Sequence, residues 1–112
     1  MPYLKLQTNE KFSGEKEIVK KLSKLIADEL GKPESYVMVI LENDLKISMG
    51  GDMKPAAFVE LKSLGLSKDL TGTLSQVICE FLEDNIGIPA GRVYIVFSDV
   101  ERSMWGWNGG TF

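Results

Sequence analysis

The sequence predicts an α+β fold of duplicated β-α-β units, with a four-stranded mixed sheet and two helices on one of its faces. Two observations carry this. Apolar residues recur at helical spacing in two separate stretches, each bracketed by β-rich runs. The segment Gly31-Lys32-Pro33-Glu34-Ser35-Tyr36-Val37-Met38-Val39-Ile40 is echoed by Gly87-Ile88-Pro89-Ala90-Gly91-Arg92-Val93-Tyr94-Ile95-Val96, at an offset of 56 residues in a chain of 112. Each copy follows a helical stretch and leads into a strand. The chain therefore reads as one domain, 1–112, with pseudo-repeats at about 1–56 and 57–112. Strands joined through a short helical crossover pair in parallel and with right-handed connection.

In order, Tyr3–Thr8 is the first strand. Ile18, Val19, Leu22, Leu25, Ile26 and Leu30 make the apolar stripe of the first helix, with Glu15, Glu17, Lys20, Lys21, Lys24 and Asp28 on its solvated face. Ser13 is the expected N-cap, and Glu15 and Glu17 suit the positive end of the helix dipole. Gly31 suits the position after the helix, and Pro33 prevents its continuation. Tyr36–Glu42 reads as the second strand. Asn43-Asp44 turns the chain into a short strand at Leu45–Met49, which Gly50-Gly51 ends. In the second half, Ala57–Leu64 is a strand. Leu70, Leu74, Val77, Ile78, Phe81 and Leu82 mark a helix that starts between Ser67 and Thr73. Val93–Phe97 is the last long strand, and the tail 105–112 holds both tryptophans.

With both helices on one face, the opposite face of the sheet is uncovered. Leu4, Leu6, Val37, Val39, Val93 and Ile95 alternate along the strands on one phase or the other, so an apolar face and open sheet edges are expected. Oligomerisation is the physical remedy. The short strands at Leu45–Met49 and Ser103–Trp107 are candidates for pairing with neighbouring chains.

Composition narrows the chemistry. The chain is 44% hydrophobic and 26% charged, with a net charge of −3. Mild acidity argues against nucleic acid as a partner, because phosphate neutralisation needs clustered Lys and Arg. There is no histidine and a single cysteine, Cys79. Histidine triads, Cys/His zinc sites and an internal disulfide are thereby excluded, and no cofactor or metal is expected. No apolar run suggests a membrane span or signal peptide, so the expected location is the cytoplasm. A general base must be a carboxylate, a lysine, a tyrosine or the N-terminal amine.

Met1-Pro2 supplies that amine. Methionine is normally trimmed when a small residue such as proline follows it. Trimming would leave a secondary amine fixed to the first strand, and a fixed, partly desolvated amine can act as a base. If Met1 stays, the Pro2 nitrogen is an amide and the base is lost.

Met1-Pro2, Thr8-Asn9, Gly31-Lys32-Pro33, Gly50-Gly51, Ser63-Leu64-Gly65, Arg92-Val93-Tyr94-Ile95 and Gly106-Trp107-Asn108-Gly109-Gly110-Thr111-Phe112 resemble the macrophage migration inhibitory factor and D-dopachrome tautomerase family, within the tautomerase superfamily. The resemblance runs from the first residue to the last. It implies a homotrimer, with sheets wrapped as a barrel around a central channel and three sites at subunit interfaces. It implies a keto–enol tautomerase of phenylpyruvate-like aromatic 2-keto acids, with Pro2 as catalytic base. In the same pattern Lys32 supplies a cation that pairs with the substrate carboxylate. Leu64 is an apolar neighbour of the proline, and Tyr94 is donated by the adjacent subunit. Trp107 lies near the pocket mouth and Tyr36 lines the rim.

The chain also departs from the family. Val96 stands where mammalian members have an asparagine that reaches a hydroxylated substrate, so its loss is expected to retune preference by about tenfold or less. Trp105 replaces a smaller apolar residue and is expected to narrow the pocket. Ala56-Ala57-Phe58-Val59 replaces a Cys-x-x-Cys segment, which leaves no dithiol for thiol oxidoreductase chemistry. Two other readings stand beside the isomerase: a cytokine-like protein-binding factor with a vestigial pocket, and a dehalogenase or hydratase that uses the same proline. The last class needs further cationic or acidic groups near the proline, and the sequence places none.

Overall fold

Ile18, Leu22 and Ile26 are spaced four residues apart, and in the computed structural model of residues 1–112 they lie buried along one side of α1 (Glu15–Leu30). They pack on the middle of a sheet formed by β1 (Tyr3–Thr8), β2 (Met38–Glu42), β3 (Ala57–Leu64) and β4 (Val93–Val100). Leu74, Ile78 and Leu82 of α2 (Thr71–Ile86) complete the same core. Strand order is β2-β1-β3-β4. β1–β2 and β3–β4 are parallel, and β1–β3, which joins the halves, is antiparallel. This is the mixed four-stranded sheet that the sequence predicts.

The two halves use the same local devices. Gly31 ends α1 in the left-handed conformation (φ 63°), where only glycine sits without strain. The Lys32 N–H then donates to Ala27 O at 3.0 Å and the Gly31 N–H to Asp28 O at 3.3 Å, which satisfies carbonyls the helix leaves open. Gly87 (φ 78°) ends α2 in the same conformation. Pro33 and Pro89 each precede a single 3₁₀ turn, Glu34–Tyr36 and Ala90–Arg92, that feeds a strand. The first of these turns absorbs Tyr36, so β2 starts two residues later than the sequence suggests.

α1 opens differently from expectation. Ser13 does not cap it; Gly14 occupies the cap position (φ 83°) without any side-chain cap bond. The main-chain oxygen of Gly14 receives the N–H groups of Glu17 and Ile18 at 3.1 and 3.2 Å. The left-handed turn at Gly14 leaves Ser13 one position too early to cap.

The segment expected as a strand at Leu45–Met49 is a loop. Only an isolated bridge, Met49 to Asp52, forms around the Gly50-Gly51 turn. Side chains from elsewhere in the chain hold this loop and the residues that follow it. Asn9 Nδ2 donates to the main-chain oxygens of Ile47, Met53 and Lys54, and its Oδ1 accepts from the Ala56 N–H at 2.9 Å. Arg92 grips the same loop through Pro55 O (2.8 Å), Lys54 O (3.0 Å) and the Asp52 carboxylate (2.9 Å). Asn9→Ala is therefore expected to cost about 1–3 kcal/mol, because loop carbonyls lose their donor. Chemical denaturation measures this, and a change within experimental error would show that water replaces Asn9 freely.

Ser103–Trp107 is likewise not one continuous strand. It divides into a 3₁₀ turn, Arg102–Met104, and β5 (Gly106–Trp107), which pairs within the chain with β6 (Gly110–Thr111). Asn108 (φ 51°) and Gly109 (φ 81°) make the two-residue turn between them. Positive φ at both positions matches the twist of a tight hairpin, and Asn-Gly is the pair that tolerates it best.

The uncovered face of the sheet also differs from expectation. Leu4, Leu6, Val39 and Ile95 face the helices, as do Val37 and Val93 at the strand starts. The open face carries rows of mixed chemistry: Met38-Tyr3-Lys62, Ile40-Lys5-Glu60-Val96 and Glu42-Gln7-Phe58-Tyr94. Lys5 and Glu42 pair across β1 and β2 at 3.2 Å, and Gln7 donates to the same carboxylate at 2.9 Å. This face is amphipathic rather than apolar, although Met38 and Val96 remain 61% and 49% exposed.

Candidate functional site

Pro2 sits where β1 begins and is fully buried. Its carbonyl accepts the Met38 N–H at 3.1 Å, which ties the start of β1 to the start of β2. Its position is thus set by the sheet. Met1 precedes it and lies between two cavities.

The first cavity, about 340 Å³, is aromatic and apolar. Pro2, Tyr36, Trp105, Trp107 and Phe112 line it, and no charged side chain does. The hairpin of β5 and β6 brings Trp107 and Phe112 face to face, with ring centroids 5.2 Å apart and planes 15° apart. Tyr36 meets both rings edge-on, at 5.7 Å from Trp107 and 6.3 Å from Phe112. Such arrangements follow the quadrupole preference of aromatic rings and hold the wall in one shape.

The second cavity, about 390 Å³, carries positive charge. Lys32, Arg102, Leu64 and Phe112 line it beside Met1, and no acidic side chain does. Lys32 is placed by the Gly31 helix end. Leu64 is placed by the end of β3, where Gly65 (φ 67°) turns the chain and the Leu66 N–H is held by the Asp99 carboxylate at 3.0 Å.

The two cavities share Met1, Tyr36 and Phe112. Burial pushes the Met1 amine below its ordinary value of 8.0, and the Lys32 and Arg102 charges push it further the same way. A nitrogen at this place is held toward its neutral, proton-accepting form. A third hollow of about 380 Å³ lies on the open face, with Tyr3, Lys62 and Met104. It shares Tyr3, Trp105 and Gly106 with the aromatic cavity but touches none of Pro2, Lys32 or Leu64. These three shared residues form the wall between the site and the open face.

Six of the residues singled out in the sequence, Pro2, Lys32, Tyr36, Leu64, Trp105 and Trp107, surround Met1 in the two cavities. Tyr94 does not. It pairs with Phe58 on the open face and is 64% exposed. Its row lies level with Gln7, at the end of β1 away from Pro2. Val96 shares that face and lines neither cavity. Sequence reasoning missed two residues. Phe112 could have been found from Asn108-Gly109, since a hairpin there returns the chain past Trp107. Arg102 left no signal, because a lone arginine after a strand reads as an ordinary surface charge.

The cysteine is separate from this site. Burial pushes the Cys79 thiol up, against a hydrogen bond with Ser75 that acts the other way. It lies beside Gly72 and Gln76 on α2, far from Pro2 in the fold.

Comparison with known proteins agrees with the geometry. The family model described as macrophage migration inhibitory factor matches residues 1–112. A macrophage migration inhibitory factor homolog of Trichuris trichiura is 44% identical over 97 residues, which covers 86% of this chain and 85% of the relative. The homolog of Brugia malayi is 36% identical over 114 aligned positions, covering 100% and 99%. The crystal structure of the homologue from Prochlorococcus marinus superposes with a TM-score of 0.93 at 38% identity, over 98% of both chains. That of the factor from Trichinella spiralis gives 0.91 at 35% identity, over 98% of this chain and 99% of that one. A match over the whole length, in sequence and in fold, shows that this chain belongs to the macrophage migration inhibitory factor family, within the tautomerase superfamily.

Proposed function

We propose that the chain is a keto–enol tautomerase of phenylpyruvate-like 2-keto acids, with Pro2 as general base once Met1 is removed. The observation that carries this reading is the separation of charge about Met1 and Pro2. An aromatic 2-keto acid has a ring at one end and a carboxylate at the other. The ring suits the cavity of Trp107, Tyr36 and Phe112, and the carboxylate suits Lys32 on the other side. The carbon between them then lies against the start of β1. With Met1 gone, the Pro2 secondary amine takes a proton from that carbon, and the ammonium so formed returns a proton, directly or through water, to the ketone oxygen, which gives the enol and the free amine. Leu64 keeps the neighbourhood dry, which favours the neutral amine.

The reading includes a homotrimer. Tyr94 stands at the far end of β4 from its own Pro2, so only another subunit can bring it to a site. A trimer would also cover the exposed Met38 and Val96 of the open face and the outer edges of β2 and β4.

The test compares processed protein with protein that retains Met1, each verified by mass spectrometry. Phenylpyruvate enolisation is followed by ultraviolet absorbance, and assembly by sedimentation. Turnover by the processed trimer alone is expected. Equal turnover by both forms would remove Pro2 as base. A monomer near 12.4 kDa would remove Tyr94 from the site. A processed trimer without turnover would favour the protein-binding reading.

A further inference from the structure

We propose that Arg102 is a second anion-binding residue of this site, forming with Lys32 a two-cation cradle for the substrate carboxylate. The identity of the substrate rests on the tautomerase reading; the cradle itself rests on geometry.

Arg102 opens the 3₁₀ turn after β4, and the Trp105 N–H closes that turn on its carbonyl at 3.3 Å. The position of the residue is therefore fixed by the backbone. Its guanidinium has five N–H donors, and the protein uses one: Nε donates to the main-chain oxygen of Phe112 at 3.4 Å. Of the thirteen lysines and arginines, Lys5, Lys20, Lys24 and Arg92 have carboxylate side chains as partners, and Lys32 and Arg102 are among the nine that do not. What sets Lys32 and Arg102 apart is that both line one cavity, from which acidic side chains are absent. Two like charges around one small space repel each other, and a bound anion relieves that repulsion. A carboxylate is the natural fit, because the planar fork of a guanidinium matches its two oxygens and Lys32 adds a point charge. The cradle adjoins the aromatic cavity through Met1, Tyr36 and Phe112, and Trp107 lines only the aromatic one, so a carboxylate held by the cations leaves Trp107 free for the ring.

Arg102 has a blander possible role, as a latch that holds Phe112 in the aromatic wall. The experiment separates the two. Binding of 3-phenylpropionate, which has the ring and the carboxylate but no ketone, is titrated by the quenching of tryptophan fluorescence. The proteins are wild type, Arg102→Gln, Arg102→Lys and, as a control for net charge, Lys24→Gln on the exposed side of α1. Arg102→Gln is expected to weaken binding about five- to tenfold, within the range for one partly solvated charge-assisted contact. Arg102→Lys should return to within about threefold of wild type, and Lys24→Gln should match wild type. Equal affinity of Arg102→Gln and wild type overturns the cradle. So does an Arg102→Lys protein as weak as Arg102→Gln, since that would assign the loss to the latch. The probe has no ketone and therefore no acidified C–H proton, so its binding is independent of turnover. Absent phenylpyruvate turnover together with weakened binding in Arg102→Gln would therefore sink the tautomerase reading and leave the cradle standing.

Discussion

Pro2→Gly is expected to lower phenylpyruvate turnover by at least about a hundredfold, within the range attributed to a positioned general base. The initiator methionine is still trimmed before glycine, so the variant keeps an amine at the same position in the chain. What it loses is the ring. Pro2 is buried, and its carbonyl is tied to Met38 at 3.1 Å. The ring fixes φ and so aims the nitrogen relative to that anchor. A glycine amine is a weaker base and swings. The loss should appear mainly in kcat rather than KM, since Lys32 and the rings of Tyr36, Trp107 and Phe112 are untouched. The pH profile carries a second signature. Only the neutral amine accepts a proton, so activity falls as pH drops through its pKa. Burial, Lys32 and Arg102 lower the pKa of the Met1 amine, and the same surroundings are expected to set the acid limb of a trimmed Pro2 amine below that of the same amine in water. Turnover of Pro2→Gly within about fivefold of wild type would move the chemistry to another group.

Leu61→Ala is expected to cost about 2–5 kcal/mol of stability. Leu61 lies on β3 with no exposed surface, between Leu4 of β1 and Phe97 of β4. It faces the helices from the centre of the sheet, where nothing can collapse into the space its side chain leaves. A total stability of about 5–15 kcal/mol makes this a large fraction. Leu61→Met keeps the volume and should cost less than about 1.5 kcal/mol. Denaturant midpoints of the two variants separate packing from any effect on the site. A Leu61→Ala cost below about 1 kcal/mol would mean that the sheet and helices close over the gap.

Much of this fold is written in local patterns. The 3.6-residue stripe of Ile18, Leu22 and Ile26, and its counterpart in Leu74, Ile78 and Leu82, require two helices with one buried side each. The Gly31 and Gly87 endings mark where both stop, and Pro33 and Pro89 show that the chain must leave them extended. What could not be read depends on partners distant in sequence. Asn9 anchors Ile47, Met53 and Lys54 from roughly forty positions away, a tie that no local pattern in residues 45–54 announces. The phase of the sheet was ambiguous because Val37, Val39, Val93 and Ile95 alternate with Met38, Ile40, Tyr94 and Val96, which are also large and mostly apolar. Register decides between the two sets. At the site, Pro2, Lys32, Leu64, Tyr36, Trp105 and Trp107 were found through family resemblance. Their convergence depends on which strands are neighbours. Arg102 was invisible because its meaning comes only from the Lys32 beside it.

The central place of β1 has a kinetic consequence. This strand pairs with β2 about 35 residues later and with β3 about 55 residues later. Neither pairing is local, and the antiparallel one joins the two halves of the chain. Loop closure over such distances has to precede the reward of pairing, which puts the chain among the slower two-state folds of mixed topology. Because Pro2 is the first residue of that strand's anchor, its orientation is settled only when both neighbours have docked. A half-folded chain, with α1 formed but β3 still free, has an amine on a loose end. The geometry around Pro2 is therefore completed by long-range pairing rather than by any single helix or turn.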